Sequence, residues 1–240
     1  MRLDKLLAHC GYGTRKEVKD IIKKGHVCVN DVVCKKDKTQ VEPDVDVVSV
    51  DGEVLVYEEY VYYMLNKPDG YVSATEDNLH RTVIELIDDY YRDDIFPVGR
   101  LDIDTEGLLL ITNDGQLSHQ LLSPKKHCPK IYYAKIKGEV NEDDIKAFKD
   151  GITIDDGYLC QSAILNILSV ENGNSEIEVE IYEGKFHQVK RMFNAVGKEV
   201  TYLKRIRMKN LELDPSLELG EYRRLTQEEL DGLKDDSMLE

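Results

Sequence analysis

The sequence predicts an α+β protein in which strands outnumber helices and pair mostly antiparallel. From Tyr60 to Leu213, short runs rich in Val, Ile and Tyr are separated by Gly, Pro and Asn turn signals, and they rarely alternate with helical patterns. Residues 1–50 differ, because apolar residues at helical spacing precede two short valine-rich runs. We therefore expect a small helical-hairpin domain over residues 1–57, followed by a larger, mainly antiparallel-sheet domain over residues 58–240.

The N-terminal residues predict two short helices and a hairpin. Three leucines share one face of the first helix: Leu3, Leu6 and Leu7. Thr14 and Glu17 have the spacing of a capping box, in which each side chain bonds to the backbone amide of the other residue. Gly25 is placed to end the second helix. The turn Asn30-Asp31, between two pairs of valines, predicts the hairpin.

The rest of the chain predicts strands with a few helices between them. Further strands are expected at Val45–Val50, Tyr60–Leu65, Leu108–Ile111, Ile131–Ile136, Gly151–Ile154, Ala163–Val170 and Glu176–Tyr182, and between Gly197 and Leu213. Helices are expected at Arg81–Tyr91, Gln116–Leu122, Glu142–Lys149 and Gln188–Val196, with a short one in the acidic C-terminal segment. Glu53–Glu59 is interpreted as a connector between the two domains.

Composition limits the classes of function. No apolar run approaches the roughly 20 residues that span a bilayer, and the N-terminus lacks the apolar segment of a signal peptide. We therefore expect a cytoplasmic protein with no membrane partner. The five cysteines are scattered without a Cys-x-x-Cys pair, and the six histidines lack paired spacing. These patterns favour reduced thiols and no metal site.

The distribution of charge is more informative than its sum. The net charge is −15, yet residues 121–138 contain five lysines and no acid, and residues 185–209 contain eight basic residues and one acid. Basic residues confined to two segments suit a localised face that binds anions. Two solvated, lysine-rich surfaces are the alternative interpretation.

The segment between Val98 and Gly115 combines acids, an arginine and an apolar run. Arg100 is followed by three acids at alternate positions: Asp102, Asp104 and Glu106. The aliphatic run Leu108–Ile111 then predicts a short buried strand, which places the acids on a loop at its mouth. A rigid strand that holds carboxylates beside an arginine is a suitable place for chemistry.

Three chemistries were compared for this acidic loop. A calcium loop requires a bidentate glutamate where this chain has Asn113, so we reject it. Two carboxylates acting as acid and base, as in glycoside hydrolysis, leave Arg100 and the basic segments without a role. The third chemistry uses one aspartate as nucleophile or base against a substrate held by positive charge. Asp104 is interpreted as a residue that shapes the turn.

The N-terminal domain resembles the small RNA-binding module named after ribosomal protein S-four. The patterns Arg-Leu-Asp-Lys-x-Leu, Thr-Arg and Ile-x-x-Gly-x-Val-x-Val-Asn occur here in order. The resemblance implies that the first helices lie along the phosphate backbone of structured RNA. The RNA-binding residues would be Arg2, Lys5, Arg15, Lys16, Lys19 and Lys23.

Five segments resemble, in order, the motifs of pseudouridine synthases of the RsuA branch. They are Asn66–Tyr71, Gly99–Leu109, His127–Tyr132, Glu183–Phe193 and Gly220–Thr226. The resemblance implies isomerisation of a uridine: the glycosidic bond breaks, the uracil turns, and carbon 5 is joined to the sugar. Nothing is oxidised and no group leaves, so no cofactor and no metal are expected.

The same resemblance implies roles for individual residues. Asp102 would be the catalytic carboxylate, attacking the anomeric carbon or deprotonating the sugar beside it; the sequence leaves both routes open. Lys190 would pair with Asp102 and keep it ionised, and Tyr132 would stack on the base and assist proton removal. Arg100 would fill the space left by the flipped nucleotide. Arg191 follows Lys190 on the same helix, where only one of the two can face Asp102, and is expected to contact RNA.

We therefore expect a cofactor-free RNA pseudouridine synthase that modifies one uridine of 16S (small-subunit) ribosomal RNA. The expected partner is ribosomal RNA within a small-subunit assembly particle, and the protein is expected to be a monomer. Large-subunit rRNA is the alternative substrate. An alternative from another class is a non-catalytic RNA-binding factor for ribosome assembly.

Overall fold

A computed structural model describes residues 1–88, 94–123 and 126–235, which group into two compact units. The first contains Met1–Val61, and residues 87–88 and 94–95 group with it. The second contains Tyr62–Leu86 and the described residues from Phe96 onward. The predicted boundary after residue 57 lies shortly before the break between the units and stays a prediction.

The first unit has two helices and a four-stranded antiparallel sheet. Its elements are α1 (Leu3–His9), α2 (Arg15–Lys24), β1 (Val27–Val29), β2 (Val32–Val33), β3 (Val48–Val50) and β4 (Glu53–Val54). The strand order is β2-β1-β3-β4. The predicted start of the connector is wrong, because Glu53–Val54 pairs with β3 and extends the sheet.

Local chemistry accounts for these elements as expected. The Thr14 amide donates to the Glu17 carboxylate at 2.7 Å, and the Glu17 amide donates to the Thr14 hydroxyl, which completes the capping box of α2. Gly25 ends α2 in the left-handed conformation, with φ of 85°. Asn30 and Asp31 also have positive φ, which two-residue hairpin turns require. The three leucines of α1 are buried.

The second unit contains one large sheet and a small two-stranded one. Its strands are β5 (Tyr62–Lys67), β6 (Tyr71–Val72), β7 (Arg81–Thr82), β8 (Phe96–Pro97), β9 (Glu106–Thr112), β10 (Lys130–Lys137), β11 (Ile164–Glu171), β12 (Asn174–Ile181), β13 (Glu199–Met208), β14 (Leu211–Glu212) and β15 (Tyr222–Arg224). Its helices are α3 (Gly115–Leu122), α4 (Glu142–Asp150), α5 (Gln188–Ala195) and α6 (Gln227–Lys234).

The large sheet has the order β11-β12-β10-β13-β9-β5-β15, with β14 paired to β13 and β8 paired to β9. Its pairs are antiparallel except β9 with β13, which run parallel. The predicted α+β class with a mainly antiparallel sheet is confirmed. The run Leu108–Ile111 is fully buried within β9, at the middle of the sheet.

The predicted strand Val45–Val50 is confirmed only over Val48–Val50, and two further predicted elements are wrong. The segment Gly151–Ile154 forms only one bridge, between Thr153 and Leu159, because the chain turns back at once through the Asp155-Asp156-Gly157 turn. The helix expected from residue 81 is instead β7 followed by a short 3-10 turn, Val83–Leu86. Consecutive β-branched residues there lose side-chain freedom in a helix. The last part of that expected helix, residues 89–91, lies outside the described residues.

Gly107 permits the parallel pairing of β9 with β13. Its φ is 99°, and a Cβ atom there would lie 2.2 Å from the Arg205 carbonyl oxygen and 2.9 Å from the Arg205 amide nitrogen. Backbone atoms cannot move away as a flexible side chain can. A side chain at this position would therefore push apart the two strands on which the acidic loop depends.

We predict that Gly107→Ala lowers the free energy of unfolding by at least about 2 kcal/mol, from backbone strain and overpacking together. Gly173→Ala is the matched control, because Gly173 also has positive φ but no atom lies within 4 Å of the added Cβ. Urea unfolding followed by circular dichroism measures both variants. Equal losses for the two would show that the close approach to β13 has no energetic consequence.

Candidate active site

A lysine lies between two carboxylates at the mouth of β9. Lys190, on the first turn of α5, places its Nζ 3.3 Å from Asp102 Oδ2 and 2.5 Å from Asp104 Oδ1. The Lys190 and Asp102 side chains are only 20% and 24% exposed, so water screens their attraction less than at an open surface. The structure thus brings together the two residues expected to pair.

Asp104 contributes more than the shape of the turn. Burial acts to raise the pKa of this carboxyl, but the hydrogen bond and the charge of Lys190 outweigh it, with a smaller effect from His187. The pKa of Asp104 therefore lies below its ordinary value. The interpretation of Asp104 as a turn residue alone was incomplete, because one ammonium group serves two carboxylates.

Helix α5 directs its two adjacent cations to different partners. Lys190 faces the acidic loop, whereas the guanidinium of Arg191 is paired with Asp155 and Asp156. This is the outcome expected for neighbours about 100° apart on a helix. The expected RNA contact of Arg191 stays a prediction, and a phosphate there would have to compete with two carboxylates.

His187 also lies beside Asp102, although the sequence analysis assigned it no role. Its Nε2 is 3.6 Å from Asp102 Oδ1. His187 directly precedes α5 with φ of 50°, a conformation uncommon outside glycine. Its ring stacks on Phe186, with centroids 3.7 Å apart. The signal in the sequence was its place in the Glu183–Phe193 motif, but nothing in the spacing indicates which way the ring points.

A buried lysine holds the acidic loop in shape. Lys67, at the end of β5, is fully buried, and its Nζ donates to the carbonyl oxygens of Pro68, Ile103 and Thr105 at 2.9–3.1 Å. Burial lowers the pKa of Lys67 to about 8, although nearby acids including Asp102 act to raise it. At neutral pH the ammonium form still supplies three protons for three carbonyl groups.

A second set of bonds holds the loop from the segment after Lys67. The Ser73 hydroxyl donates to the Leu101 carbonyl and accepts from the Leu101 amide, at 2.9 and 3.0 Å. The Gly70 amide donates to the Ile103 carbonyl at 2.9 Å. Both residues that flank Asp102 are therefore bonded to this segment. In the sequence this segment was indicated only by the Asn66–Tyr71 motif, although a lysine at the end of an apolar strand also indicates a buried ammonium.

A cavity beside Asp102 contains Tyr132. Its inner part, about 60 Å³, is lined by Asp102, Tyr132 and three apolar side chains from neighbouring elements: Ile181, Val189 and Leu203. Tyr132, on β10, is 8% exposed. Tyr133 belongs to the opposite face of β10, where it packs against Tyr202, as the alternation of a strand predicts. The carboxylate of Asp102 and the ring of Tyr132 therefore border the same space.

Arg100 lines both this inner part and a wider outer part of about 380 Å³. It is exposed, and it precedes Asp102 by two residues. Asp102, Tyr132 and Arg100 thus line one cleft, and Lys190 lies at its edge in contact with Asp102, although these residues come from distant parts of the chain. Their roles in a reaction stay predictions.

The loop before α5 depends on two residues that the sequence analysis did not single out. Glu183 is 7% exposed and accepts from the Tyr158 hydroxyl, the Gln161 amide and the Gln188 side chain. Gln188 in turn accepts from the Lys185 amide at 2.9 Å. These bonds place the loop that carries His187 at the edge of the cleft.

The basic residues of the N-terminal unit differ in exposure and in ion pairing. Lys5, Arg15, Lys16 and Lys23 are exposed. Arg2 donates two hydrogen bonds to Asp4, and Lys19 lies 4.0 Å from Asp37. All six remain predicted RNA contacts, and the four exposed side chains lie at the surface, where a phosphate can reach them.

The two basic segments supply fewer surface charges than their composition suggested. Lys130, Arg205 and Lys209 are buried and donate to main-chain carbonyl groups. Lys198 pairs with Asp144 at 2.9 Å. Lys125 lies outside the described residues. Part of the expected anion-binding charge is therefore used within the fold, and the exposed remainder includes Lys185 near the cleft.

Within the described ranges, no three His, Cys, Asp or Glu side chains come together as a bound metal would require. The acidic loop has Lys190 as its counter-ion. No helix among these residues is long and apolar enough to cross a membrane. The chemistry available at the cleft is that of a restrained carboxylate, a lysine, a histidine and a tyrosine beside an apolar wall.

Comparison with protein families gives two matches. Residues 61–195 match the RNA pseudouridylate synthase family, and residues 1–47 match the S4 domain. A crystal structure of a pseudouridylate synthase superposes with a TM-score of 0.68 at 37% identity, over 97% of this chain and 99% of that one. The match extends over both units of the fold.

Curated relatives match over nearly the full length. An uncharacterised RNA pseudouridine synthase of Bacillus subtilis, YtzG, is 51% identical over 96% of this chain and 97% of its own length. The ribosomal small subunit pseudouridine synthases A of Vibrio vulnificus and Escherichia coli are 41% and 38% identical, over 97% and 96% of this chain and 99% and 98% of their own lengths. The resemblance stated from the motifs is confirmed: the chain belongs to the RNA pseudouridylate synthase family and carries an S4 domain at its N-terminus.

Proposed function

We propose that this protein converts one uridine of small-subunit ribosomal RNA into pseudouridine, with Asp102 as the catalytic carboxylate. The observation that carries the proposal is the position of Asp102: it lies 3.3 Å from Lys190, borders a cavity that also contains Tyr132, and sits on a loop held by buried bonds. A cation beside a carboxylate attracts its negative charge, and the charged form is the one that acts as nucleophile or base.

The reaction is an isomerisation in which every non-hydrogen atom of the uridine is retained. Asp102 attacks the anomeric carbon or removes the proton beside it, and the bond between that carbon and nitrogen 1 of uracil breaks. The uracil turns beside Asp102, and its carbon 5 forms the new bond to the sugar. The bond from Asp102 to the anomeric carbon breaks in that step or, on the second route, the removed proton returns to the carbon beside it. The proton on carbon 5 is then lost, and nitrogen 1 gains one, so no external oxidant or reductant takes part.

Three other residues have proposed roles in this scheme. Lys190 stabilises the negative charge of Asp102. Tyr132 stacks on the uracil and assists removal of the carbon-5 proton, because its ring borders the same inner space. Arg100 fills the gap that the flipped uridine leaves in the RNA, since it is exposed at the rim of the cleft.

The choice of substrate rests on the relatives. Those at 38–41% identity over nearly full length include enzymes named for the ribosomal small subunit. We therefore favour small-subunit over large-subunit rRNA, and a small-subunit assembly particle in the cytoplasm as the setting, with the protein acting as a monomer. A non-catalytic RNA-binding factor is disfavoured because Asp102, Tyr132 and Lys190 are all present at one cleft.

We predict that Asp102→Asn lowers the rate of pseudouridine formation by at least about 10³-fold, because the amide is neither a nucleophile nor a base. Release of tritium from uridine labelled at carbon 5, in 16S rRNA transcripts, measures the rate. RNA binding should be retained, which a filter-binding assay checks. A wild type that binds RNA without releasing tritium would favour the binding-factor alternative, and full activity of Asp102→Asn would remove Asp102 from its role.

Lys190→Met should lower the rate and move the acid limb of the pH–rate profile to higher pH. The reason is that Lys190 holds the pKa of Asp104 below its ordinary value, so its loss makes that carboxyl easier to protonate. The same change removes the cation that lies 3.3 Å from Asp102. Lys149→Met on α4 is the control, as an exposed lysine that does not line the cleft. An unchanged profile would exclude Lys190 from the site.

RNA affinity should fall steeply with salt, and less steeply after loss of phosphate-binding lysines. Replacing Lys5 and Lys16 with Ala should reduce the slope of log affinity against log salt by about 0.7–0.9 per lysine. Fluorescence anisotropy with an rRNA fragment, across a salt series, measures the slope. Lys149→Ala should leave it unchanged, and a flat dependence in the wild type would contradict phosphate contacts altogether.

A further inference from the structure

Phe186 is a large aromatic side chain at the edge of the cleft that the fold does not use in its core. It is 73% exposed. It lies in the loop between β12 and α5, one residue before His187, and one face of its ring is covered by the His187 ring at 3.7 Å between centroids, with 19° between the planes. The other face of the Phe186 ring is therefore available. The His187 ring that covers the first face lies beside Asp102.

The backbone of Phe186 is held on both sides. The preceding amide, of Lys185, donates to the Gln188 side chain at 2.9 Å, and the Phe186 carbonyl accepts from the Arg191 guanidinium at 3.3 Å. The Lys185 ammonium lies over the Tyr158 ring, 4.3 Å from its centroid. An exposed ring on a restrained loop loses little freedom when a ligand covers it, which favours binding.

The cleft has two parts that contain different aromatic rings. The inner part contains Tyr132 and has both polar and apolar lining residues, the apolar ones including Ile181, Val189 and Leu203. The wider outer part contains Phe186 and not Tyr132, and it shares Arg100, Asp102 and His187 with the inner part. The outer part is lined by one acid, Asp102. It is also lined by four basic side chains: His80, Arg100, Lys185 and His187.

We propose that the outer part is a second nucleotide subsite, in which the exposed face of Phe186 stacks on the base next to the target uridine. The inference rests on the proposed function. An aromatic platform with cations beside it is the chemistry that binds unpaired nucleotides without reading their sequence. The inner part receives the flipped uracil, and the Phe186–His187 pair holds the neighbouring nucleotide unstacked from its own strand. The subsite gives the enzyme a preference for uridines whose neighbour is unpaired.

The test compares uridine 5′-monophosphate with the trinucleotide UpUpU, using wild-type protein and three variants. Phe186→Leu keeps an apolar side chain but loses the ring, whereas Phe186→Tyr keeps the ring. Leu168→Ala is the control, because it removes another exposed apolar side chain, on β11 and away from the cleft. Calorimetric titration measures each affinity. Phe186→Leu should bind UpUpU roughly tenfold more weakly than wild type while binding the mononucleotide equally well, because stacking on one base contributes about this factor.

Phe186→Tyr and Leu168→Ala should both behave as wild type. Equal losses for the mononucleotide and UpUpU in Phe186→Leu would place Phe186 in the inner site and overturn the proposal. Unchanged affinity for UpUpU in that variant, or a wild type that gains nothing from the additional nucleotides, would also overturn it. These titrations do not require turnover. If the wild type binds UpUpU more tightly than the mononucleotide but makes no pseudouridine, the proposed function is refuted and the subsite stands.

Discussion

The geometry of the cleft depends on the hydrogen bonds that the buried ammonium group of Lys67 donates. The loop from Gly99 to Thr105 has no helix or strand of its own, so its main-chain carbonyl groups need other donors. Lys67 donates to the Ile103 and Thr105 carbonyl groups. The Ser73 hydroxyl bonds to both the carbonyl and the amide of Leu101. The position of Asp102 is thus determined by residues about thirty positions earlier in the chain.

The electrostatics of the cleft rest on that fixed loop. Two carboxylates, Asp102 and Asp104, share one lysine from α5, and His187 approaches from the same helix end. A cation placed this way favours the ionised form of the acids, whereas burial alone would favour the neutral form. Gly107 permits the parallel pairing of β9 with β13. The loop that precedes β9 then contacts Lys190 of α5.

An acidic protein that binds RNA is physically consistent once the position of each charge is known. The net charge of −15 is a sum over the whole chain, but a phosphate responds to charges within about 10 Å in ordinary salt. The structure also shows that basic residues close in sequence have different uses. Lys130 and Arg205 bond to buried carbonyl groups, while Lys185 stays exposed at the cleft.

The sequence by itself determined the class of fold, the order of most elements, the family and the identity of the residues that meet at the cleft. Local signals suffice for the fold class and most elements, because a capping box at Thr14, a hairpin turn at Asn30-Asp31 and the buried run of β9 depend on near neighbours. The family and the predicted site residues came instead from the order of five motifs along the chain. The predictions failed at residues 81–88, where consecutive β-branched residues disfavour a helix, and at Gly151–Ile154, where a tight turn follows at once.

Only the tertiary structure decided which groups touch. It showed that Lys190 serves Asp104 as well as Asp102, that Arg191 is paired with acids, and that Lys67 and Glu183 support the loops around the cleft. It also placed Phe186 outside the core. The physical reason is that these contacts join side chains brought together by the sheet across large separations in sequence, and a one-dimensional pattern carries no information about their distances or directions.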